Sequence, residues 1–226
     1  DRSPSRGLGD VYKRQDEHLL RFRKDKKLVF IDCETYNLCL NFCHNVAWQV
    51  SMIETDGTRR TDERDYYIKW DTDFKISDDA KRITRYDDDF VQKNGKTLKQ
   101  TLPTIQKWLD KADYIVGHNI LGFDIYLIKE LYKLHGKDYR PLVPKVIDTN
   151  CIARGIKMEI PYRAGEDFTE YQYRIYNTRR KGIRSNLTAL GKEFGIDHDY
   201  ANLHNALVDL DLNLKVWNKL KYSLEL

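Results

Sequence analysis

The chain has no apolar run near the ~20 residues that a membrane-spanning helix needs, and its first residues lack the apolar centre of a signal peptide. Cysteine is scarce, with 4 in 226 residues, which argues against the disulfide framework of a small secreted domain. There is no internal repeat and no low-complexity tract. These absences indicate a globular protein of a reducing compartment, and we expect a cytoplasmic location.

Residues 1–15 have neither a helical nor a strand period and resemble a translated sequencing adapter fused to a gene. We therefore expect this leader to be non-native, and residues 16–226 to form a single domain with one sizeable core. The formal net charge is +4, of which the leader's four basic and two acidic residues contribute +2. The overall charge thus indicates no particular partner.

The apolar pattern changes along the chain from strand-like to helical. β-prone runs joined by short turns predict a meander of three strands at 28–32, 46–53 and 66–70. Further on, the pattern predicts helices at 102–111, 123–135, 186–194 and 204–220, with strands at 112–116 and 145–148. This order predicts an α/β fold: a mixed sheet, an antiparallel meander followed by parallel strands, flanked by helices.

Two acids, Asp32 and Glu34, stand at the end of the first predicted strand. Alternate residues of a strand point to the same face, so both carboxylates should project together from a core element. Carboxylates held this close repel each other unless a positive group lies between them. Mg²⁺ and Mn²⁺ favour carboxylate oxygens, so the pair indicates a divalent metal site.

Two further segments combine histidine and aspartate at predicted helix starts. One runs from His118 to Asp124 and the other from His204 to Asp209. Singly, a histidine or aspartate in such a position is usually a cap, a core residue or a partner of the helix dipole. In this order behind the first motif, the three segments resemble the DEDDh family of 3′–5′ exonucleases, which includes polymerase proofreading subunits and ribonuclease T. The resemblance covers residues 27–221, with lesser similarities at 148–149 and 187–196.

The resemblance implies a ribonuclease H-like fold and removal of 5′-mononucleotides from the 3′ end of single-stranded DNA or a frayed duplex. It assigns four metal ligands, which are Asp32, Glu34, Asp124 and Asp209. They would hold two Mg²⁺ or Mn²⁺ ions, ~3.5–4 Å apart in two-metal sites generally. His204 would be the base that takes a proton from the attacking water, a role suited to a histidine side chain.

The resemblance also implies nucleotide contacts. Thr35 corresponds to the residue whose backbone and hydroxyl contact the terminal nucleotide. Asn119 and Phe123 occupy positions that shape the nucleotide pocket, although Phe123 is equally suited to core packing, and His118 is interpreted as structural. The family often has glycine where Tyr36-Asn37 follows Thr35, and a His-Gly-Ile triplet near residues 82–84, so the contacts to the terminal base differ here.

The stretch 162–184 interleaves tyrosines with basic residues. Rings that stack on bases and cations that neutralise phosphates are typical of single-strand binding. For the tyrosines we favour a surface hairpin packed on the domain. For the cations we favour contact with substrate phosphates, and these are Arg179, Arg180, Lys181 and Arg184.

Other functions fit parts of the sequence. An exoribonuclease trimming RNA is the main rival, because discrimination depends on contacts to the 2′-hydroxyl that a sequence does not display. A non-catalytic nuclease-like module that binds nucleic acid or a polymerase would have lost a ligand, and all five motif positions are filled here. A phosphohydrolase of small nucleotides is a third alternative. The expected partners are single-stranded DNA or RNA 3′ ends, with no membrane; a DNA polymerase in trans, for proofreading in replication or repair, is left open.

Overall fold

The computed structural model describes residues 19–37, 45–57, 59–163 and 165–226. The expected leader at 1–15 lies outside them. In this part of the chain, no helix combines the length and apolar character that crossing a membrane would require.

A mixed sheet forms the centre of the fold. Its strands are β1 (Leu28–Thr35), β2 (Ala47–Thr55), β3 (Arg60–Lys69), β4 (Lys96–Thr97), β5 (Tyr114–Gly117) and β6 (Val146–Asp148). The spatial order is β4-β3-β2-β1-β5-β6. β1, β2 and β3 pair antiparallel, whereas β5 and β6 continue from β1 in parallel, and β4 lies parallel to β3. The predicted α/β fold, with a meander followed by parallel strands, is confirmed.

β1 is central because both of its edges are paired and both of its faces are covered. Its residues are buried except Asp32, which is half-buried. Phe30 lies opposite Ile53 of β2 and Val116 of β5. Helices cover the sheet: α1 (Asp78–Thr84), α2 (Asp88–Asn94), α3 (Leu98–Lys111), α4 (Asp124–Lys133), α5 (Thr149–Lys157), α6 (Phe168–Asn177), α7 (Leu187–Glu193) and α8 (Ala206–Leu220). α4 and α8 both contact β1, and α8 also contacts β2. The strand that carries the acidic pair is therefore held from two sides.

Polar side chains define the starts of the helices near the end of β1. Asp148 accepts hydrogen bonds from the N–H groups of Asn150 (2.9 Å) and Cys151 (3.3 Å) and so caps α5. Asn205 accepts from the N–H groups of Leu207 and Val208 and caps α8. These caps set where each helix begins relative to the sheet.

The structure differs from the sequence prediction in three places. β3 begins at Arg60, six residues before the predicted strand, because pairing with β2 continues along charged residues that carry no apolar alternation. The short strand β4 was not predicted. The tyrosine-rich stretch contains α6, not a hairpin: Tyr171 and Ile175 are buried, while Tyr173 and Tyr176 are each 41% exposed.

A second, smaller aromatic core lies beside the main one. Trp48 and Tyr86 meet edge to face with ring centroids 5.1 Å apart, and Tyr36 packs against Tyr86 at 5.5 Å. Tyr67 and Phe74 are among the partly buried rings around this cluster. It positions α1 and α2 over the region where β1 ends.

Candidate active site

The acidic pair of β1 meets a third carboxylate from the last helix. Carboxylate oxygens of Asp32, Glu34 and Asp209 all lie within 4.8 Å of one another. Asp32 and Glu34 share one face of β1 as alternate residues of a strand, and Asp209 belongs to the first turn of α8. Strand and helix thus bring together acids that are far apart in the sequence.

Asp124 joins this group from the start of α4. Its side chain is 2% exposed, and its Oδ1 accepts a hydrogen bond of 2.9 Å from the backbone N–H of Cys33. Cys33 lies between Asp32 and Glu34, so this bond holds Asp124 against the acidic pair. The structure therefore brings the four predicted carboxylates to one place.

His204 lies immediately before α8, in a left-handed backbone conformation with φ of 68°. Its backbone N–H donates to Oδ2 of Asp209 at 3.2 Å. The next residue, Asn205, caps the helix, so His204 stands outside the first turn and its side chain is exposed. The turn places the exposed imidazole of His204 beside the Asp209 carboxylate, which accepts a hydrogen bond from the backbone N–H of His204.

Burial raises the pKa values of all four carboxylates, and the charges of other members of the group add to the effect for Asp32 and Glu34. Burial raises the pKa of Glu34 to about 8, with the charges of Asp209 and Asp124 adding to the effect. Burial, followed by the charge of Asp124, raises the pKa of Asp32 well above its usual range. Burial raises the pKa of Asp124 to about 7, against the hydrogen bond from Cys33. Burial raises the pKa of Asp209 to about 6, although the bond from His204 lowers it. At neutral pH the group holds protons that a cation would displace.

These residues fit a divalent cation by the chemistry of their donors. Oxygen atoms of hard carboxylates, gathered at the end of a rigid strand, are the ligands that Mg²⁺ and Mn²⁺ prefer. Among the described residues no lysine or arginine lowers the pKa of these four acids, so the hydrogen bonds from Cys33 and His204 offset their burial and repulsion only in part. Asp32, Glu34, Asp124 and Asp209 are therefore the residues that would hold the metal.

The carboxylates and His204 line one open cleft of about 670 Å³. Asn119, Phe123 and Arg184 line the same cleft, as predicted for residues near the substrate. Phe123 also packs against the main core, and its contact with a nucleotide stays a prediction. Thr35 is fully buried, and its hydroxyl oxygen lies within hydrogen-bond distance of two acceptors, Oδ1 of Asn45 and the carbonyl oxygen of Val46 (3.1 Å). The structure thus gives the Thr35 hydroxyl partners within the protein.

Asp148 is a supporting residue whose importance the sequence only hinted at. It is fully buried, and besides capping α5 it accepts from the N–H groups of Asn119 (2.9 Å) and Leu121 (3.1 Å). Asn119 has φ of 63°, so this carboxylate holds a left-handed turn immediately before Phe123 and Asp124. The Asp-Thr pair before a helix was the available signal. Cleft residues that sequence reasoning missed include Thr84, Asn150, Ile183, Ser185 and Asn186.

His118 is structural, as interpreted. Its Nδ1 lies 2.9 Å from the hydroxyl oxygen of Thr149, which is itself 2.7 Å from Oδ1 of Asn213. Burial lowers the pKa of His118 to about 4. The neutral ring lines the cleft and connects the end of β5 with α5 and, through Thr149, with α8.

The predicted basic group is divided by the structure. Arg184 lines the cleft, whereas Arg179, Arg180 and Lys181 line a separate basic groove of about 670 Å³. The groove is completed by Arg154, Tyr176 and Asn177. The four cations thus do not form one patch.

A family model described as Exonuclease, of the RNase T type, matches residues 29–217. The chain belongs to this exonuclease family. The match covers all three acidic motifs and confirms the resemblance derived from them. No curated protein sequence matches this exonuclease significantly.

Solved structures of E. coli Exonuclease I share the fold of this exonuclease. Its complex with a dT13 oligonucleotide has a TM-score of 0.67 and 18% sequence identity, covering 88% of this chain and 41% of that chain. The zinc ion bound form of its complex with single-stranded DNA has a TM-score of 0.68 and 18% identity, covering 87% and 41%. The apo form has a TM-score of 0.66 and 18% identity, covering 88% and 42%. This exonuclease therefore spans about two fifths of the length of the protein it resembles.

Proposed function

We propose that this exonuclease removes 5′-mononucleotides one at a time from the 3′ end of single-stranded DNA, using two Mg²⁺ or Mn²⁺ ions. The observation that carries the proposal is the meeting of Asp32, Glu34, Asp124, Asp209 and His204 in one open cleft. Such a cleft accepts the end of a flexible strand, and four carboxylates supply the ligands of a two-metal site. The single-stranded DNA in the Exonuclease I complexes supports the choice of substrate.

Each group has a separate task in this mechanism. When bound, the ions supply a hydroxide at neutral pH and a counter-charge for the leaving 3′-oxygen. The four carboxylates hold them, and burial of Asp124 and Glu34 fixes the geometry before substrate arrives. The exposed imidazole of His204 accepts the proton of the attacking water, and Asp209 holds the turn that carries it.

The terminal nucleotide would lie between the carboxylates and the Asn119–Phe123 turn. Arg184 faces the same cleft and is suited to a phosphate of the bound end. Thr35 would contribute through its backbone, because its hydroxyl is already bonded within the protein.

The basic groove would hold phosphates further from the 3′ end. Its lining among the described residues consists of four cations, a tyrosine and an asparagine, with no carboxylate. It adjoins the cleft: a Cβ at Gly122 would lie 2.7 Å from the ring of Tyr176 and 2.8 Å from Oδ1 of Asn119. Since Asn119 lines the cleft and Tyr176 lines the groove, one DNA strand could pass from the cleft into the groove within a few nucleotides.

The test uses a 5′-labelled single-stranded DNA and the matching RNA, each with Mg²⁺ or with EDTA. We expect a ladder that shortens from the 3′ end by single nucleotides and is abolished by EDTA and by Asp209→Asn. Asp211→Asn is the matched control, because Asp211 lies on the same helix but pairs with Lys215 at 2.9 Å outside the cleft. Products of another polarity would contradict the proposal, and faster cleavage of RNA would favour the exoribonuclease.

A further inference from the structure

A second pocket lies on the other side of His204 from the carboxylates. This aromatic pocket, of about 440 Å³, is lined by Trp48, Tyr67, Phe90, Thr84, His204 and Asn205 among others. Its walls come from β2, β3, α1, α2 and the start of α8. Thr84 and His204 line both the aromatic pocket and the cleft, so the two cavities adjoin.

The rings of the pocket offer a surface for stacking. Tyr67 stacks on Trp48 with centroids 6.2 Å apart and an interplanar angle of 21°. Phe90 meets Tyr67 edge to face at 5.0 Å, yet 45% of Phe90 is exposed to solvent. A phenylalanine this exposed, on a short helix beside a cavity, gains little from packing within the protein. A flat aromatic ligand would cover it.

The charges of the pocket disfavour a phosphate. Asp87 and Asp199 both line it, against one cation, Arg85. Arg85 already donates to the carbonyl of Ala201 at 2.9 Å. An uncharged planar ligand suits this site better than an anion.

We propose that the aromatic pocket binds an unpaired nucleobase of the substrate strand, stacked against Phe90 and Tyr67. This rests on the proposed function only in taking the strand to be the substrate of the adjoining cleft. A base held here, on the far side of His204, would anchor the strand near the reacting nucleotide. The pocket is then a determinant of substrate binding that is separate from the metal ligands and from the basic groove.

The test compares Phe90→Ala and Phe90→Trp with wild type on single-stranded oligonucleotides that carry one abasic nucleotide at successive positions from the 3′ end. Binding is measured by fluorescence anisotropy in EDTA, and cleavage by single-turnover assays with Mg²⁺. Tyr222→Ala is the matched control, since Tyr222 is 60% exposed and lines neither cavity. Thermal melting of each variant tests its folding.

We expect Phe90→Ala to weaken binding of the intact strand by about fivefold or more, the range for loss of one stacked base. Phe90→Trp should restore binding. One abasic position should weaken binding to wild type by a similar factor and add nothing in Phe90→Ala.

Equal binding by wild type and folded Phe90→Ala, or the same loss at every abasic position, would overturn the proposal. So would a Phe90→Trp variant that folds but binds as weakly as Phe90→Ala. Failure of the proposed function would show differently, as wild type that binds the oligonucleotide in EDTA but does not shorten it with Mg²⁺. The binding measurements decide the role of the pocket in either case.

Discussion

The backbone N–H of Cys33 donates a hydrogen bond of 2.9 Å to Oδ1 of Asp124, a residue 91 positions further along the chain. Cys33 is buried, so this donor has no access to water. The bond attaches the start of α4 to the middle of the acidic motif of β1. One oxygen of Asp124 therefore accepts a hydrogen bond that joins two elements of the fold, while the same carboxylate also lines the cleft.

Two substitutions at Asp124 should separate these roles. Asp124→Asn keeps an oxygen that can accept from Cys33 but removes a negative ligand, so cleavage should fall by more than about a hundredfold with the fold retained. Asp124→Ala also leaves the Cys33 N–H unpaired, which should cost a further ~1–3 kcal/mol of unfolding free energy. Urea denaturation in EDTA and single-turnover cleavage measure the two effects. Equal stability of both variants would show that the hydrogen bond matters little.

Stability without metal should fall as the pH rises. Folding raises the pKa of Glu34 from 4.5 to about 8 and that of Asp124 from 3.8 to about 7. An acid with a raised folded pKa stabilises the folded state below its unfolded pKa, and this stabilisation is lost as the pH rises through the folded value. The melting temperature in EDTA should therefore decline between about pH 4.5 and pH 8.

Glu34→Gln provides the comparison for this pH dependence. The melting temperature of the variant in EDTA should be close to that of wild type at pH 5 and higher than that of wild type at pH 8, because the amide has no charge to bury. Adding Mg²⁺ at pH 8 should raise the melting temperature of wild type more than that of Glu34→Gln. Parallel pH curves for the two proteins would contradict the electrostatic account of the site.

His204 should be needed for the chemical step and not for binding. His204→Asn removes the imidazole while retaining a residue type that tolerates the φ of 68° found here. The single-turnover rate should fall by about 10²–10⁴-fold with oligonucleotide affinity unchanged, and added imidazole should restore part of the rate. His135→Asn is the matched control, since His135 lies outside the cleft. A loss of affinity equal to the loss of rate would contradict this role.

The basic groove should contribute a salt-dependent part of binding. Replacing Arg179, Arg180 and Lys181 by glutamine should weaken binding of long oligonucleotides at low salt. It should also reduce the slope of log affinity against log salt by about 0.7 for each phosphate that the variant no longer neutralises. A triple glutamine variant of Lys93, Lys99 and Lys107 changes the charge equally on another surface. Identical slopes for the two triple variants would exclude the groove from the strand's path.

Asp148, the last residue of β6, should matter for stability because its buried carboxylate accepts several backbone N–H groups. Asp148→Asn replaces an oxygen that accepts from Leu121 with a donor, so unfolding free energy should drop by ~1–3 kcal/mol in urea denaturation. Asp167 is a matched control, because it caps α6 through the N–H of Glu170 but is exposed. Asp167→Asn should change stability little, since asparagine caps as well as aspartate. A similar loss of unfolding free energy in both variants would indicate that Asp148 stabilises the fold only by capping α5.

Much of the fold could be predicted because its apolar pattern is local. β1, β2, β5 and β6 are short buried runs, and α3, α4 and α8 carry apolar stripes at helical spacing. β4, only two residues long, has no such pattern. α6 was missed because Tyr171, Tyr173 and Ile175 alternate as in a strand, while the helix buries Tyr171 and Ile175 at a spacing of four. The choice between these periods depended on the tertiary contact of α6 with α5.

The sequence by itself determined the family, since three acidic motifs in a fixed order behind a buried strand rarely occur together by chance. It also named the carboxylates and the histidine that form the candidate site. Only the tertiary structure decided how the remaining residues are divided: Arg184 in the cleft, Arg179 in a separate groove, and the Thr35 hydroxyl bonded within the protein. Motifs are local in sequence and can be recognised directly, whereas cavities form between side chains of distant elements whose relative placement depends on packing of the whole core.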